Sequence, residues 1–306
     1  MWEVNYRQPV YDAGYKWVDV DIRPDWYRPD AEIPPTRVLV RSDFGAGRSD
    51  FAAWDPTGRT LLEHQHWHPD PEVPVHMKTL SGPDASRLYL KFSNLGDDEG
   101  KMLDFANRYG YLGLSFLSVL LPGESYPMLT YAELLGDWRN EVNNMRFAVK
   151  LWTAYCRSDE SALAEWVKWS KSGKRVYLVE DFGPGVGGRY GRHLLASSAY
   201  NKQVFAKLAV GDVVDAAPLA VVYLINRAIA DSTRSRLDFG RYPALSYTSV
   251  PETLLAAMWL QFAREVLEGG RVHECEICGM PVAGKRSRRF CSDSCRQRNH
   301  RRKSAT

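Results

Sequence analysis

Four of the chain's five cysteines lie between positions 275 and 295. Cys275 and Cys278 enclose two residues, twelve follow, and Cys291 and Cys295 enclose three more. Two close pairs joined by a short loop can place four thiolates at the corners of a tetrahedron, about 2.3 Å from a Zn²⁺ ion. An iron–sulfur cluster takes the same ligands, although nothing else in the chain calls for redox chemistry. Four protein ligands leave no open position for water or substrate, so a zinc held this way is structural. In a reducing compartment such clustering serves a metal rather than disulfides. Gly279 follows the first pair, where a tight knuckle folds back and amides approach the sulfurs. Ser292 is placed to cap a helix with Asp293 in its first turn, and that turn carries Cys295 towards the metal. A segment as short as 271–306 cannot bury a core of its own. The metal should therefore supply its folding energy, on the order of 10–16 kcal/mol in comparable zinc units. Phe290, its only aromatic residue, is expected to pack against the site.

Around these cysteines the charge is one-sided. Residues 271–306 hold ten Lys or Arg against Glu274, Glu276 and Asp293, a net +7, which leaves −4 for the rest of a chain whose total is +3. Lys285, Arg286, Arg288 and Arg289 fill the loop between the ligand pairs. Arg296, Arg298, Arg301, Arg302 and Lys303 ride on the terminal helix, with Arg298, Arg301 and Arg302 on one face and Arg296, His300 and Lys303 on another. Without an apolar stripe this helix should stand in solvent. Two basic surfaces on one metal scaffold suit phosphate contacts, with Arg able to grip phosphate or guanine bidentately. These nine residues are the expected nucleic-acid contacts, with DNA placed ahead of RNA. The plainer alternative is that the charges solubilise the chain end and offset four thiolates.

The elements that must position this tail are mainly helical. Residues 1–92 are rich in Pro, Asp and Trp, with short β-like runs at Arg37–Arg41 and Arg87–Lys91. From Asp97 the periodicity is helical. Thr130 and Glu133 suggest a capping box before a long helix, in which Leu135, Trp138, Val142, Met145, Val149 and Trp152 form one apolar stripe. A second helix is expected over Ser161 to Trp169. Ala216 to Ile229 is apolar nearly all round and reads as a buried helix. Pro251 to Leu267 is another helix, ended by Gly269-Gly270, with Leu254, Met258, Phe262 and Val266 and the row Leu255, Trp259, Ala263 and Leu267 facing inward. The expected fold is mainly α, α+β overall. It divides into an irregular β-containing region (1–92), a helical domain (93–270) and the four-cysteine module (271–306).

The tail resembles the zinc-finger ends of bacterial proteins in which CxxCG, a basic loop, an aromatic-Cys-Ser step and an Arg-rich helix follow a helical region. Here these are Cys275-Glu276-Ile277-Cys278-Gly279, the basic run 285–289, Phe290-Cys291-Ser292 and the helix from Arg296. It is similar to the CGNR zinc-finger group, closely over 275–303. The body is loosely similar too, through Phe105 to Gly113, Trp138-Arg139, Leu151-Trp152 and Leu254 to Phe262. The resemblance implies a treble-clef zinc site at Cys275, Cys278, Cys291 and Cys295, a helical stress-response-type domain and a DNA-binding regulatory role. Three positions depart from the group. Three residues rather than four separate the last two cysteines, Arg296-Gln297-Arg298 replaces Gly-Asn-Arg, and Val282 stands where an aromatic is common.

Other signals carry less. His64, His66 and His68 would share one face of a strand and could hold a metal, but Pro69 and the lack of a further ligand suit a surface turn. Gly183, Gly185 and Gly188 match G-x-G-x-x-G after the β-like run 175–179, without the amphipathic helix a dinucleotide site needs. Trp138, Trp152, Trp166 and Trp169 sit at helical spacing and read as core rather than as a pocket. Cys156 has no base beside it in sequence and reads as an inert thiol. No paired carboxylates or nucleophile motif stand out, so no catalytic residue is assigned. The His and Asn of treble-clef nucleases have no counterpart between Cys278 and Cys291. The N-terminus lacks a signal-peptide pattern, and the apolar stretch Tyr111 to Leu121 is about half a membrane span, so a cytoplasmic protein without membrane contact is expected. The helical body is then the part to sense a ligand, form a homodimer or meet a partner. The competing function is an enzymatic or toxin-like body that the basic tail delivers to RNA or DNA.

Overall fold

The computed structural model describes residues 7–11, 15–20, 36–41, 75–79, 87–114, 117–119, 128–130, 133–181, 190–230, 233–239, 245–270, 272–278, 281–283 and 289–304. The histidines at 64, 66 and 68, the glycines at 183, 185 and 188, and Lys285, Arg286 and Arg288 lie outside the described residues.

In chain order the elements begin with β1 (Arg7–Tyr11), β2 (Tyr15–Val20), β3 (Thr36–Arg41), β4 (Val75–Thr79), α1 (Leu88–Ser93) and α2 (Glu99–Tyr109). Short strands β5 (Leu117–Val119), β6 (Met128–Thr130) and β7 (Glu133–Leu134) precede the long α3 (Leu135–Arg157) and α4 (Glu160–Trp166). Then come β8 (Val167–Trp169), β9 (Arg175–Asp181), β10 (Tyr190–Ser197), α5 (Lys202–Phe205) and α6 (Val213–Ile229). The last elements are β11 (Thr233–Phe239), β12 (Leu245–Pro251), α7 (Leu254–Leu267), β13 (Val272–Glu274), β14 (Pro281–Ala283) and α8 (Asp293–Ser304). Eight described helices, the longest of 23 residues, are joined by strands of eight residues or fewer, and no described sheet exceeds three strands. The fold is mainly α, α+β overall. No described helix is long and apolar enough to cross a membrane.

Close contacts divide the chain into two units that interleave along the sequence: 1–84, 97–139 and 234–255 form one, and 85–96, 140–233 and 256–306 the other. The linear segments 1–92 and 93–270 each contribute to both units, and 271–306 belongs to the second.

In the first unit α2 packs on β1 and β2. Asp98 caps α2 by accepting from the Lys101 amide at 3.1 Å, and Met102, Phe105, Ala106 and Tyr109 form its buried side. The polar centre of this unit is Glu133, which is fully buried. Its carboxylate accepts from the amides of Leu112 (3.0 Å), Gly113 (2.5 Å) and Leu114 (3.0 Å) and from the Trp138 indole (2.8 Å). Burial pushes this carboxyl up, and the four donors pull it back. The capping-box expectation is thereby corrected. Thr130 belongs to β6, Glu133 to β7, and α3 starts only at Leu135, because the carboxylate is taken by a loop some twenty residues upstream. That loop needs Gly113 twice over: its φ is +84°, and a Cβ would lie 2.6 Å from Thr253.

The second unit carries the long helix from its second turn onward. Every residue of the expected stripe in α3 is buried, from Leu135 to Trp152. The β reading of 87–91 is corrected to the helix α1. Leu88, Tyr89, Leu90 and Phe92 are all buried, whereas a strand would turn alternate residues outward. Tyr89 packs on Phe262 at 5.3 Å between centroids, the Leu88 amide donates to Gln261 (2.9 Å), and Arg87 pairs with Glu265 (3.0 Å). The helix expected over 161–169 stops at Trp166, and Val167-Lys168-Trp169 continues as a strand hydrogen-bonded to β9. Pro251 ends β12 rather than opening α7. Leu267 is 87% exposed rather than inward, because the helix unwinds just beyond it at Gly269, whose φ is +65°. α6 is buried along one side only, through Ala216, Ala217, Ala220, Val221, Leu224 and Ile225, while Val222 is 47% exposed.

Glu133→Gln keeps the size but turns an amide donor onto the N–H groups that the carboxylate satisfies. It is expected to lower stability by about 3 kcal/mol in urea unfolding. A loss under about 1 kcal/mol would mean that water serves those amides equally well.

Candidate metal centre

The cysteine module forms in three steps along the chain. β13 and β14 pair as an antiparallel hairpin with His273 opposite Val282, and Cys275 to Cys278 occupy the turn that leaves β13. Cys291 follows Phe290. The Ser292 hydroxyl then accepts from the Cys295 amide at 3.3 Å, and the Ser292 carbonyl from the Arg296 amide at 3.1 Å. Ser292 thus caps α8, with Asp293 in its first turn and Cys295 facing inward at 2% exposure. Val282, Cys275 and Cys295 form a small buried cluster covered by Ile277, Phe290 and Cys291.

All four sulfurs fall within 4.8 Å of one another. Cys278 and Cys291 are 3.5 Å apart, Cys291 and Cys295 3.5 Å, and Cys295 and Cys278 3.7 Å. A tetrahedron with metal–sulfur bonds of about 2.3 Å has edges of about 3.8 Å, so the cluster has the dimensions of a four-sulfur metal site. The cysteines are free thiols, and these separations far exceed the roughly 2 Å of a disulfide. The thiols hold protons unequally. Burial opposes charge on Cys275, yet the amides of Cys291, Ile277 and Cys278 outweigh it and hold that thiol below its usual range. Burial and the neighbouring sulfurs of Cys278 and Cys295 push Cys291 up. A divalent cation at the centre resolves this conflict, because its charge favours the thiolate at every corner.

The basic residues around the cluster are not equivalent. Arg289 makes a two-pronged ion pair with Glu276, with 2.5 Å from Nη2 to Oε2. The Glu276 amide also donates to the Arg289 carbonyl (3.2 Å), and the guanidinium lies 5.7 Å from the Phe290 ring centroid. Arg289 therefore ties the two cysteine pairs together. Arg298 directs Nη2 at the Cys295 sulfur (3.8 Å), and Arg296 pairs with Asp293 (2.6 Å). Arg301 and Arg302 are exposed and show no ion-pair partner among the described residues. Lys303 lies on α8, and Lys285, Arg286 and Arg288 fall outside the described residues.

The module is fastened where it leaves α7. Trp152 donates its indole N–H to the Gly270 carbonyl at 3.0 Å. A Cβ on Gly270 would meet the Glu265 carboxylate at 2.3 Å, and Glu265 is the partner of Arg87. Trp138, Trp166 and Trp169 are likewise held by packing and hydrogen bonds. Trp138 serves Glu133, Trp166 meets Phe147 edge-on at 5.5 Å, and Trp169 donates to the Asp212 carbonyl (3.0 Å). Cys156 is half-buried near the end of α3, away from the cluster in sequence.

A second polar constellation, missed in the sequence, lies on the inner face of the β9–β10 hairpin. Glu180 is buried there beside Val176 and Leu178. Its carboxylate sits 2.9 Å from Arg227 Nη1 and 3.2 Å from His193 Nε2, and His193 Nδ1 is 2.8 Å from the Tyr223 hydroxyl. The carboxylate favours the proton on Nε2, so Nδ1 accepts from Tyr223. Gly191 lies directly across from Glu180, and a Cβ there would meet His193 Nε2 at 2.3 Å. The missing side chain at Gly191 is what lets the imidazole cross diagonally to the carboxylate. The signal was present as an acid on the apolar side of the Val176, Leu178, Glu180 alternation, and as Tyr223 and Arg227 one turn apart on an otherwise apolar helix.

No protein-family model, curated protein or solved structure matches this chain.

Elemental analysis of the purified protein is expected to find one divalent metal ion per chain. Cys295→Ser should lose the ion and the circular-dichroism signal of the 12-residue α8, whereas Cys156→Ser should keep both. Retention of metal by Cys295→Ser would remove that sulfur from the ligand set.

Proposed function

We propose that the chain is a zinc-dependent nucleic-acid-binding protein, and specifically a DNA-binding transcriptional regulator with a sensing or dimerising body. The observation that carries this reading is the four-sulfur cluster holding a solvent-exposed, cation-rich helix, on a chain whose remaining residues are net acidic. The likeness of residues 275–303 to the CGNR group supports it. Zn²⁺ suits a closed set of four thiolates without demanding redox chemistry. Arg289, Arg296 and Arg298 are engaged within the module, so the phosphate contacts fall to Lys285, Arg286, Arg288, Arg301, Arg302 and Lys303. Six such contacts correspond to a log–log salt slope of about −5 on duplex DNA. Fluorescence anisotropy of labelled duplex against zinc-loaded protein should give that slope. Arg301→Glu with Arg302→Glu should weaken binding by about tenfold or more and flatten the slope by about 2. Duplex affinity untouched by that variant would reduce the module to a folded cap.

A second reading, an enzymatic or toxin-like body delivered to RNA or DNA by the tail, is favoured by one arrangement. Tyr223, His193 and Glu180 follow the hydroxyl–imidazole–carboxylate order by which a base is oriented to take a proton. Under it, the protein cleaves labelled RNA or DNA and His193→Gln abolishes the cleavage. Intact strands after incubation with the wild-type protein would leave the constellation as a clamp between the hairpin and α6.

A further inference from the structure

The three-stranded sheet β10-β9-β8 has a second face, opposite the one that carries Glu180 and His193. Its register sets Lys168 across from Tyr177 on one side and Leu194 on the other, and Arg192 across from Val179. Alternation along β9 adds Arg175 to the same face, two residues before Tyr177. Lys168, Arg175, Arg192 and Leu194 are exposed, Leu194 to 37%, while Tyr177 and Val179 are half-buried. The Arg192 guanidinium lies flat enough over the Tyr177 ring to bring Cζ within 3.8 Å of its centroid. The β8–β9 turn extends the positive edge with Lys171 and Lys174, both exposed. Among Lys168, Arg175, Tyr177, Val179, Arg192 and Leu194 none is acidic.

We propose that this outer face is a binding platform for single-stranded nucleic acid, built from Tyr177 and the cations Lys168, Arg175 and Arg192 around it. The charge fits a polyanion, and the aromatic–guanidinium stack fits an unpaired base. Bases stack on aromatic rings and on Arg planes only when they are splayed out of a helix, so a duplex cannot use this stack. Arg192, backed by Tyr177, offers the outermost planar surface. Arg175 and Lys168 stand at strand and cross-strand spacings from Tyr177, about 7 and 5 Å, and can follow the backbone, Lys168 on release from the Ala164 carbonyl that its ammonium meets. The inner-face contacts of Glu180 and His193 with Tyr223 and Arg227 of α6 hold the hairpin in place, so that the outer face is presented without rearrangement. This assignment does not depend on the zinc tail.

The experiment compares anisotropy of a labelled uridine decamer, its thymidine counterpart and a mixed-sequence duplex on four zinc-loaded full-length proteins. These are the wild type, Arg175→Glu with Arg192→Glu, Arg301→Glu with Arg302→Glu, and all four changes together. The sheet variant is expected to lose about tenfold or more in decamer affinity and about 1.4 in salt slope, with duplex affinity and thermal melting unchanged. Tyr177→Ser should weaken decamer binding by about fivefold or more, whereas Tyr177→Phe, which keeps the ring, should not. Comparison of the two decamers separates RNA from DNA. Decamer affinity equal in wild type and sheet variant overturns the proposal, as does an equal loss on duplex and decamer, or no decamer binding by wild type at low salt. If the tail variant loses duplex binding while the sheet variant is inert, the tail reading stands and this one falls. The converse result separates them the other way.

Discussion

α8 has no apolar stripe to bury, only Cys295, and this constraint governs the end of the chain. Its sequence offers no apolar stripe, so no core dictates its direction, and an isolated polar helix of this length is marginal in water. What fixes it is one sulfur and one hydroxyl, Cys295 in its first turn and Ser292 at its cap. Those atoms are held only if the four sulfurs converge, and convergence in turn needs the hairpin β13–β14 and the Arg289–Glu276 tie. The surface that α8 presents is therefore a consequence of four converging sulfurs rather than of an apolar stripe.

Such local chemistry is legible in a sequence. The ligand spacing, the cap at Ser292, the inward turn of Cys295 and the supporting role of Phe290 all involve neighbours within a few turns of chain, and the structure brings them together as expected. The division of labour among the arginines was not legible. Arg289, Arg298 and Arg301 look alike in a basic run, but Arg289 meets Glu276 across the loop, Arg298 meets a sulfur one turn back, and Arg301 meets solvent. Only the three-dimensional position of an acid thirteen residues away distinguishes them.

The body divides along the same line. The stripe of α3 was readable because a period of three and four persists over six residues, all of them buried. The short elements were misread for want of length. Arg87 to Lys91 alternates like a strand for a moment, and Val167 to Trp169 prolongs a helical pattern for three residues, so the environment decides both. The two buried carboxylates, Glu133 and Glu180, lay furthest from view. Their partners come from loops and helices up to 47 residues away in the chain, and composition gives no hint of such encounters. Each acid binds a set of donors that hydrophobic packing alone would leave unsatisfied, and each thereby ties separate elements together.

The exit from α7 bears on how the tail can be aimed. Gly269 turns through a positive φ, and Gly270 is gripped by Trp152 on one side and crowded by Glu265 on the other. Such a joint behaves as a fixed bracket rather than as a tether. α8, with 12 residues, is about 18 Å long, so a 10° change in its direction moves its far end by about 3 Å relative to its start, the length of a hydrogen bond. A methyl group added at position 270 would thus act at a distance. Its effect would be read at the tip of the last helix, where no atom had been changed.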